Sequence, residues 1–222
     1  MASGEHHHHS HHPTGLLIVI SAPSGGGKTT LCEQLLEHQA NTVRAVTCTT
    51  REPREGEKDG VDYYFLDAGT FLKRVQAGNF LEHATVYGNS YGTLKSEVLG
   101  KLRQAKDVLL SIDVQGAATI RERAEEDSEL KRALLTIFLA PPSLDVLEKR
   151  LMKRGKDSKP VIQKRLAVAR QEIAQWKNFD YTMISSTISE DLKRMQAIIT
   201  AEKLRTMRAH VPDYDKSQSL HS

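Results

Sequence analysis

The chain is poor in cysteine, in tryptophan and in long apolar runs. Its two cysteines, Cys32 and Cys48, are too few for a disulfide framework, and the plain expectation is two reduced thiols in a cytoplasmic protein. Neither they nor His38 and His83 stand at metal-ligand spacing, so no zinc site is expected. The longest apolar run, Leu16–Ile20, suits a buried strand and falls far short of a membrane span. No secretory signal, lipidation motif or internal repeat is visible. Charge of one sign is also lacking. Thirty-one basic against 28 acidic residues leave +3, too mild a balance to argue for nucleic acid. With 39% hydrophobic and 27% charged residues over 222 positions, there is material for one α/β domain and a small insertion.

His6, His7, His8, His9, His11 and His12, in a Gly/Ser/Thr context, read as an expression tag, so residues 1–14 are set aside. Four apolar runs then predict buried parallel strands: Leu16–Ile20, Val108–Ile112, Leu134–Leu139 and Tyr181–Ile184, with a fifth near Ala45–Cys48. Each of the four is followed by a polar turn and a helical pattern, which argues for a parallel sheet covered on both faces. Residues from Thr49 to about Lys95 break that pattern and read as an inserted α+β subdomain. The stretch from Leu144 to Lys177 is basic and helix-rich. It is interrupted at Gly155, and Pro160 marks a new helix start. Ile162, Leu166, Ala169, Ile173 and Trp176 predict one apolar helix face, with Trp176 in the core. A last helix is expected near Glu190–Arg208, and a frayed tail after it.

The strongest motif runs Ala22-Pro23-Ser24-Gly25-Gly26-Gly27-Lys28-Thr29, after a strand and before a helix holding Leu31, Leu35 and Leu36. That is the setting of a phosphate-binding loop. Its glycines let successive N–H groups point at one anion, and the helix N-terminus adds its positive dipole end. Lys28 can bridge the β- and γ-phosphates of a nucleoside triphosphate, and the Thr29 hydroxyl can ligate Mg²⁺. The expected ATP set is Ser21, Ala22, Pro23, Ser24, Gly25, Gly26, Gly27, Lys28, Thr29 and Thr30. Ala22 stands where such loops open with glycine, a position that demands a small residue. Downstream, Arg51 and Arg54 flank Pro53, so two guanidinium forks on a stiff turn can grip one phosphate.

The runs Thr49-Thr50-Arg51-Glu52-Pro53-Arg54-Glu55-Gly56-Glu57, Gly60-Val61-Asp62-Tyr63-Tyr64-Phe65, Phe80-Leu81-Glu82-His83-Ala84, Tyr91-Gly92-Thr93 and Ile112-Asp113-Val114-Gln115-Gly116 follow one another behind the phosphate loop. Together they resemble the guanylate kinases over about residues 15–208. The resemblance implies a P-loop NTPase-like parallel sheet flanked by helices, with a nucleoside-monophosphate-binding insertion and a helical lid. It implies a core of 15–46 and 97–208, an insertion of about 47–96, a lid of about 144–170, and a tail of 209–222. It further implies ATP- and Mg²⁺-dependent phosphorylation of GMP and dGMP in the cytoplasm. Thr47, Glu82 and Thr93 would then contact guanine, and Arg51, Arg54, Tyr63 and Tyr91 would hold the GMP phosphate. Asp113 would stand at the acceptor site. Arg154 and Arg165 would be lid arginines, with Arg150 nearby, and Lys28, Arg54, Arg154 and Arg165 would act in catalysis. Ser111 departs from the family, where a carboxylate is common, and so does Ser185-Ser186-Thr187, where Asn-Asp-Asp is more usual. Two alternatives stay open: another P-loop small-metabolite kinase, and a non-catalytic interaction module of the same shape. ATP and GMP are the expected partners, without nucleic acid or membrane, and a homo-oligomer is left open.

Overall fold

The computed structural model describes residues 14–215. Residues 1–13 of the expected tag and 216–222 of the expected tail lie outside the described residues. In chain order, β1 (Leu17–Ser21) leads to α1 (Lys28–His38) and β2 (Thr42–Arg44). Then come β3 (Cys48–Thr49), β4 (Tyr64–Phe65), α2 (Ala68–Gln76), β5 (Phe80–Val86) and β6 (Asn89–Leu94). The chain continues through α3 (Lys95–Arg103), β7 (Asp107–Ser111), α4 (Val114–Glu126), α5 (Ser128–Ala133) and β8 (Leu134–Ala140). It closes with α6 (Leu144–Lys153), α7 (Lys159–Ile173), β9 (Tyr181–Ile184) and α8 (Ile188–Lys203). No helix among the described residues is long and apolar enough to cross a membrane.

The larger sheet has the order β2-β7-β1-β8-β9 and pairs in parallel throughout. Its centre, β1, is apolar up to Ile20 because helices cover both faces. The pleat sends Leu17 and Val19 to one side, where they pack with Val98, Leu102, Ala117 and Ile120 of α3 and α4. Leu16, Ile18 and Ile20 face the other side, against Leu31 and Leu35 of α1 and Met195 and Ile199 of α8. Truncating a fully buried position such as Ile18 to alanine costs about 2–5 kcal/mol. The smaller sheet has the order β4-β3-β6-β5 and lies wholly between Cys48 and Leu94. Alternating strand and helix therefore place the turns after β1 and β7 at one edge, where ligands bind in open α/β sheets.

Three expectations need correction. The fifth parallel strand is not Ala45–Cys48 but β2, three residues earlier. The Ala45 N–H donates to Leu109 O at 3.1 Å, after which the chain leaves that sheet and Cys48 pairs with Gly92 in the other. One β-rich run is thus divided between two sheets. Trp176 is not core: it is 44% exposed, with Lys177 over its ring. Helix α7 ends at Ile173 and tightens into a 3₁₀ turn, Ala174–Asn178, so the 3.6-residue spacing stops before Trp176. The last helix likewise ends at Lys203, and Thr206–Arg208 is a separate 3₁₀ turn.

Candidate active site

The glycine-rich loop between β1 and α1 folds as its glycines require. Gly25 and Gly27 take φ of +80° and +82°, which an L side chain resists, and Gly27 directly precedes α1. The Gly26 N–H donates to Pro23 O at 2.9 Å. A Cβ on Gly26 would stand 2.9 Å from the Ala22 Cβ, so these two small residues interlock. Lys28 Nζ donates to Ile112 O at 3.0 Å, and Ser21 Oγ donates to the same carbonyl at 2.7 Å. Burial lowers the Lys28 pKa against the pull of Cys32, Asp113 and Glu172. Burial also raises the Cys32 thiol to about 11, which leaves it a poor nucleophile. Thr29 and Thr30 are exposed in the first turn of α1.

A polar cluster on the smaller sheet meets the start of α4, after β7. Glu82 and Thr93 are register partners on β5 and β6, and the Thr93 hydroxyl donates to Glu82 Oε1 at 2.9 Å. Glu82 is 7% exposed. Burial pushes its pKa up, Thr93 offsets part of that, and the charge of Asp113 adds to it. Thr47 immediately precedes β3, and the pairing of Cys48 with Gly92 brings it next to Thr93. Asp113 caps α4 by accepting the Gly116 N–H at 2.8 Å. A Cβ on Gly116 would stand 3.1 Å from Glu82 Oε2, so only glycine leaves room for the carboxylate there.

Arg51, Tyr63 and Tyr91 come together beside this cluster. The Arg51 guanidinium lies 5.2 Å from the Tyr63 ring centroid, and the two tyrosine rings meet edge-on at 6.3 Å. Glu57 binds Arg51 through two bonds of 2.9 and 3.0 Å. These bonds, with the Arg54 N–H, hold the Glu57 carboxyl down at about 2. The Arg54 side chain is exposed on the adjoining turn.

Helices α6 and α7 form a small core of their own, with Leu147, Leu151, Ile162, Leu166 and Ala169. Helix α6 rests on the glycine-rich loop: a Cβ on Gly25 would meet Leu147 Cδ1 at 3.2 Å and Leu151 Cδ2 at 3.4 Å. Arg165 pairs with Asp157 at 3.3 Å. The Arg154 guanidinium is exposed and has no partner among the described residues. Arg150 approaches the loop more closely, with Nη1 3.8 Å from a Cβ on Gly27, buried and without a hydrogen bond.

Sequence reasoning overlooked Glu57 and Glu172. Glu57 stood in the quoted arginine run, and an acid three residues after Arg54 was the available signal. Glu172, on α7, is half-buried near Ser24, Lys28 and Asp113; burial raises its pKa first of all, and the Ser24 backbone N–H and the Lys28 charge pull it back. Its place over the loop follows from helix packing and left no local mark. Ser185, Ser186 and Thr187 serve α8: the Ser186 N–H donates to Asp191 Oδ1 at 3.0 Å, and Thr187 Oγ1 accepts the Glu190 N–H at 3.2 Å.

The family model for guanylate kinase matches residues 14–202. A guanylate kinase of Coxiella burnetii is 44% identical over 178 residues, 80% of this chain and 83% of that protein. One from Carboxydothermus hydrogenoformans is 40% identical over 183 residues, 82% of this chain and 86% of its own. The crystal structure of guanylate kinase from Anaplasma phagocytophilum superposes with a TM-score of 0.67 at 33% identity, covering 89% of this chain and 90% of that one.

Proposed function

Because the chain belongs to the guanylate kinase family, we infer that it transfers the γ-phosphoryl group of ATP to GMP or dGMP, leaving ADP and the nucleoside diphosphate. One observation carries the reading. Lys28 bonds the carbonyl of Ile112 at 3.0 Å, and the carboxylates of the next residue, Asp113, and of the buried Glu82 converge on Gly116, at 3.3 and 3.1 Å from where its Cβ would stand, so the turn after β7 joins a donor site to a base-reading site.

In this reading the loop from Ser21 to Thr30 cradles the ATP phosphates, and Lys28 exchanges the Ile112 carbonyl for phosphate oxygens. Ile112 O keeps its bond from Ser21. Glu82 accepts from guanine N1–H and the exocyclic amino group, with Thr47 and Thr93 as flanking hydroxyls. Arg51, Arg54, Tyr63 and Tyr91 aim the GMP phosphate at the γ-phosphorus. One of its oxygens, already anionic, forms the new P–O bond as the bond to the β-phosphate oxygen breaks. No general base is needed. Arg154 and Arg165, carried by a lid of about 144–170, neutralise charge on the transferring group as closure excludes water. The acceptor subdomain spans about 47–96 between core segments 15–46 and 97–208.

The residues present fit Mg²⁺. Among the described residues no three acids, histidines or cysteines form a cage, and Mg²⁺ in such sites takes phosphate oxygens and water beside one or two protein oxygens. The Thr29 hydroxyl is the hard donor that would hold it. When bound, Mg²⁺ supplies charge neutralisation of the triphosphate. The cytoplasm is the proposed site of action, consistent with free cysteines and with an ATP/GMP substrate pair.

The test is ADP release with ATP and Mg²⁺, comparing GMP, dGMP, AMP and UMP in the wild type and in Lys28→Ala. GMP and dGMP should be the good acceptors. Lys28→Ala should lower turnover by about 10²–10³-fold while its melting temperature holds, since Ile112 O stays bonded. A preference for AMP or UMP would overturn the acceptor assignment. A Lys28→Ala protein of near-normal rate would overturn the phosphate loop.

A further inference from the structure

We infer that Glu57 is the positioning residue of the acceptor-phosphate grip: it fastens Arg51 and the Arg54 turn so that one edge of the Arg51 guanidinium is presented to a phosphate. The inference rests on the reading of Arg51 and Arg54 as the GMP-phosphate site.

The hydrogen bonds around Arg51 define the edge. A guanidinium has five N–H donors in a fixed plane. Glu57 Oε1 and Oε2 take one each from Nη1 and Nη2 at 2.9 and 3.0 Å, across the end of the fork. The Glu52 carbonyl takes the second Nη1 donor at 3.0 Å. What remains is Nε–H and one Nη2–H, the side of the fork, two parallel donors spaced for two oxygens of one phosphate. Tyr63, its ring centroid 5.2 Å from the guanidinium, and Tyr91, edge-on to Tyr63, flank Arg51, and each hydroxyl has a proton to give to a phosphate oxygen.

Glu57 also closes the turn that carries Arg54. Its N–H donates to Arg54 O at 3.0 Å, and its Oε1 accepts the Arg54 N–H at 2.7 Å. Gly56, at φ +82°, allows the chain to double back between them. One carboxylate therefore sets the rotamer of one arginine and the backbone of the other, before any ligand arrives. An arginine on an open turn would otherwise lose its freedom on binding and weaken the grip.

The opposing effect is charge. Glu57 is an anion beside an anion site, and simple Coulomb reasoning says that its removal strengthens phosphate binding. The geometry decides between the two, because Glu57 occupies the end of the fork and leaves the side open. It supports the phosphate edge and does not compete for it.

The experiment compares Kd for GMP and for guanosine, measured by calorimetry without ATP, in wild type, Glu57→Gln, Arg51→Ala and the double variant. The ratio of the two constants isolates the phosphate. In Glu57→Gln that ratio should fall by about tenfold or more, with guanosine affinity and the ATP KM held within about twofold. In the Arg51→Ala background the same change should move the ratio by less than about threefold, since Glu57 then has little left to position. A ratio that is unchanged or rises in Glu57→Gln overturns the inference, as does the full effect reappearing without Arg51. If Glu57→Gln fails to fold, Glu57→Asp is judged by the same criteria, because a shorter carboxylate cannot span both arginines. A wild type that binds guanosine as well as GMP overturns the phosphate-site reading itself, whatever Glu57 does.

Discussion

Glu82 is buried against Thr93 with Asp113 close by, and both burial and that charge raise its pKa. A carboxylate whose folded pKa lies above its unfolded value lowers stability once the pH exceeds the folded value. The penalty vanishes below the unfolded value, where both states are protonated. Ionised Glu82 therefore destabilises the ligand-free protein at neutral pH. Glu82→Gln keeps an acceptor for the Thr93 hydroxyl and removes the charge. It should raise stability at pH 7 by about 0.5–2 kcal/mol, with the gain shrinking towards pH 4 in thermal melts. The same variant should lose guanine recognition, because its amide cannot accept from both N1–H and the amino group. kcat/KM for GMP should fall by about 10²-fold, the gap to AMP should narrow, and the ATP KM should hold. Undiminished discrimination against AMP would move the role of guanine reader to another residue.

Helices α6 and α7 bury Leu147, Leu151, Ile162, Leu166 and Ala169 among themselves, apart from the two cores that flank the parallel sheet. Such a pair can shift as a body while its own packing stays intact, which is what a lid needs. Hydrogen exchange over about 144–170 should slow when ATP analogue and GMP are both bound, and less with either alone. Identical exchange with and without the two ligands would count against a lid. Arg165, held by Asp157 in the ligand-free chain, should act after closure. Arg165→Ala is expected to lower kcat by about 10²–10³-fold with little change in the ATP KM, read from steady-state kinetics. A rise in KM at constant kcat would instead make it a ground-state contact.

The whole molecule is tied together at the opposite end of the sheet. Arg208 donates from Nε to Arg132 O at 2.8 Å and from Nη2 to Leu134 O at 3.2 Å, and it pairs with the buried Glu202. The Tyr181 hydroxyl donates to Glu202 Oε1 at 2.7 Å. Burial alone would raise the Glu202 pKa, but its bonds from Tyr181 and Arg208 together hold it below the usual range. A depressed carboxylate contributes stability above its unfolded pKa, and that contribution is lost as the pH falls through the folded value. Arg208→Ala leaves Glu202 without its closest cation and should destabilise the fold by about 3–5 kcal/mol at pH 7. Urea unfolding at pH 7 and pH 4 should show the difference shrinking in acid, where Glu202 takes up a proton. A constant difference across that range would assign the loss to packing.

The glycine-rich turn between β1 and α1, four of the five strands of the larger sheet and the guanylate kinase family were legible in the sequence, because each is carried by short runs of neighbouring residues. Gly25 and Gly27 answer to local φ, Lys28 to its place at a helix start, and Leu16–Ile20 to being covered on both faces. The division of residues 42–49 between two sheets was not legible, because Ala45 and Cys48 have similar strand propensity and only their partners, Leu109 and Gly92, separate them. Trp176 was misread because a helical period carries no sign of where α turns into 3₁₀. The raised pKa of Glu82 and the place of Glu172 beside Lys28 and Asp113 were decided by the tertiary structure. Each depends on the distance and burial of groups from separate turns, strands or helices, and side-chain order along the chain does not encode the dielectric in which those groups meet.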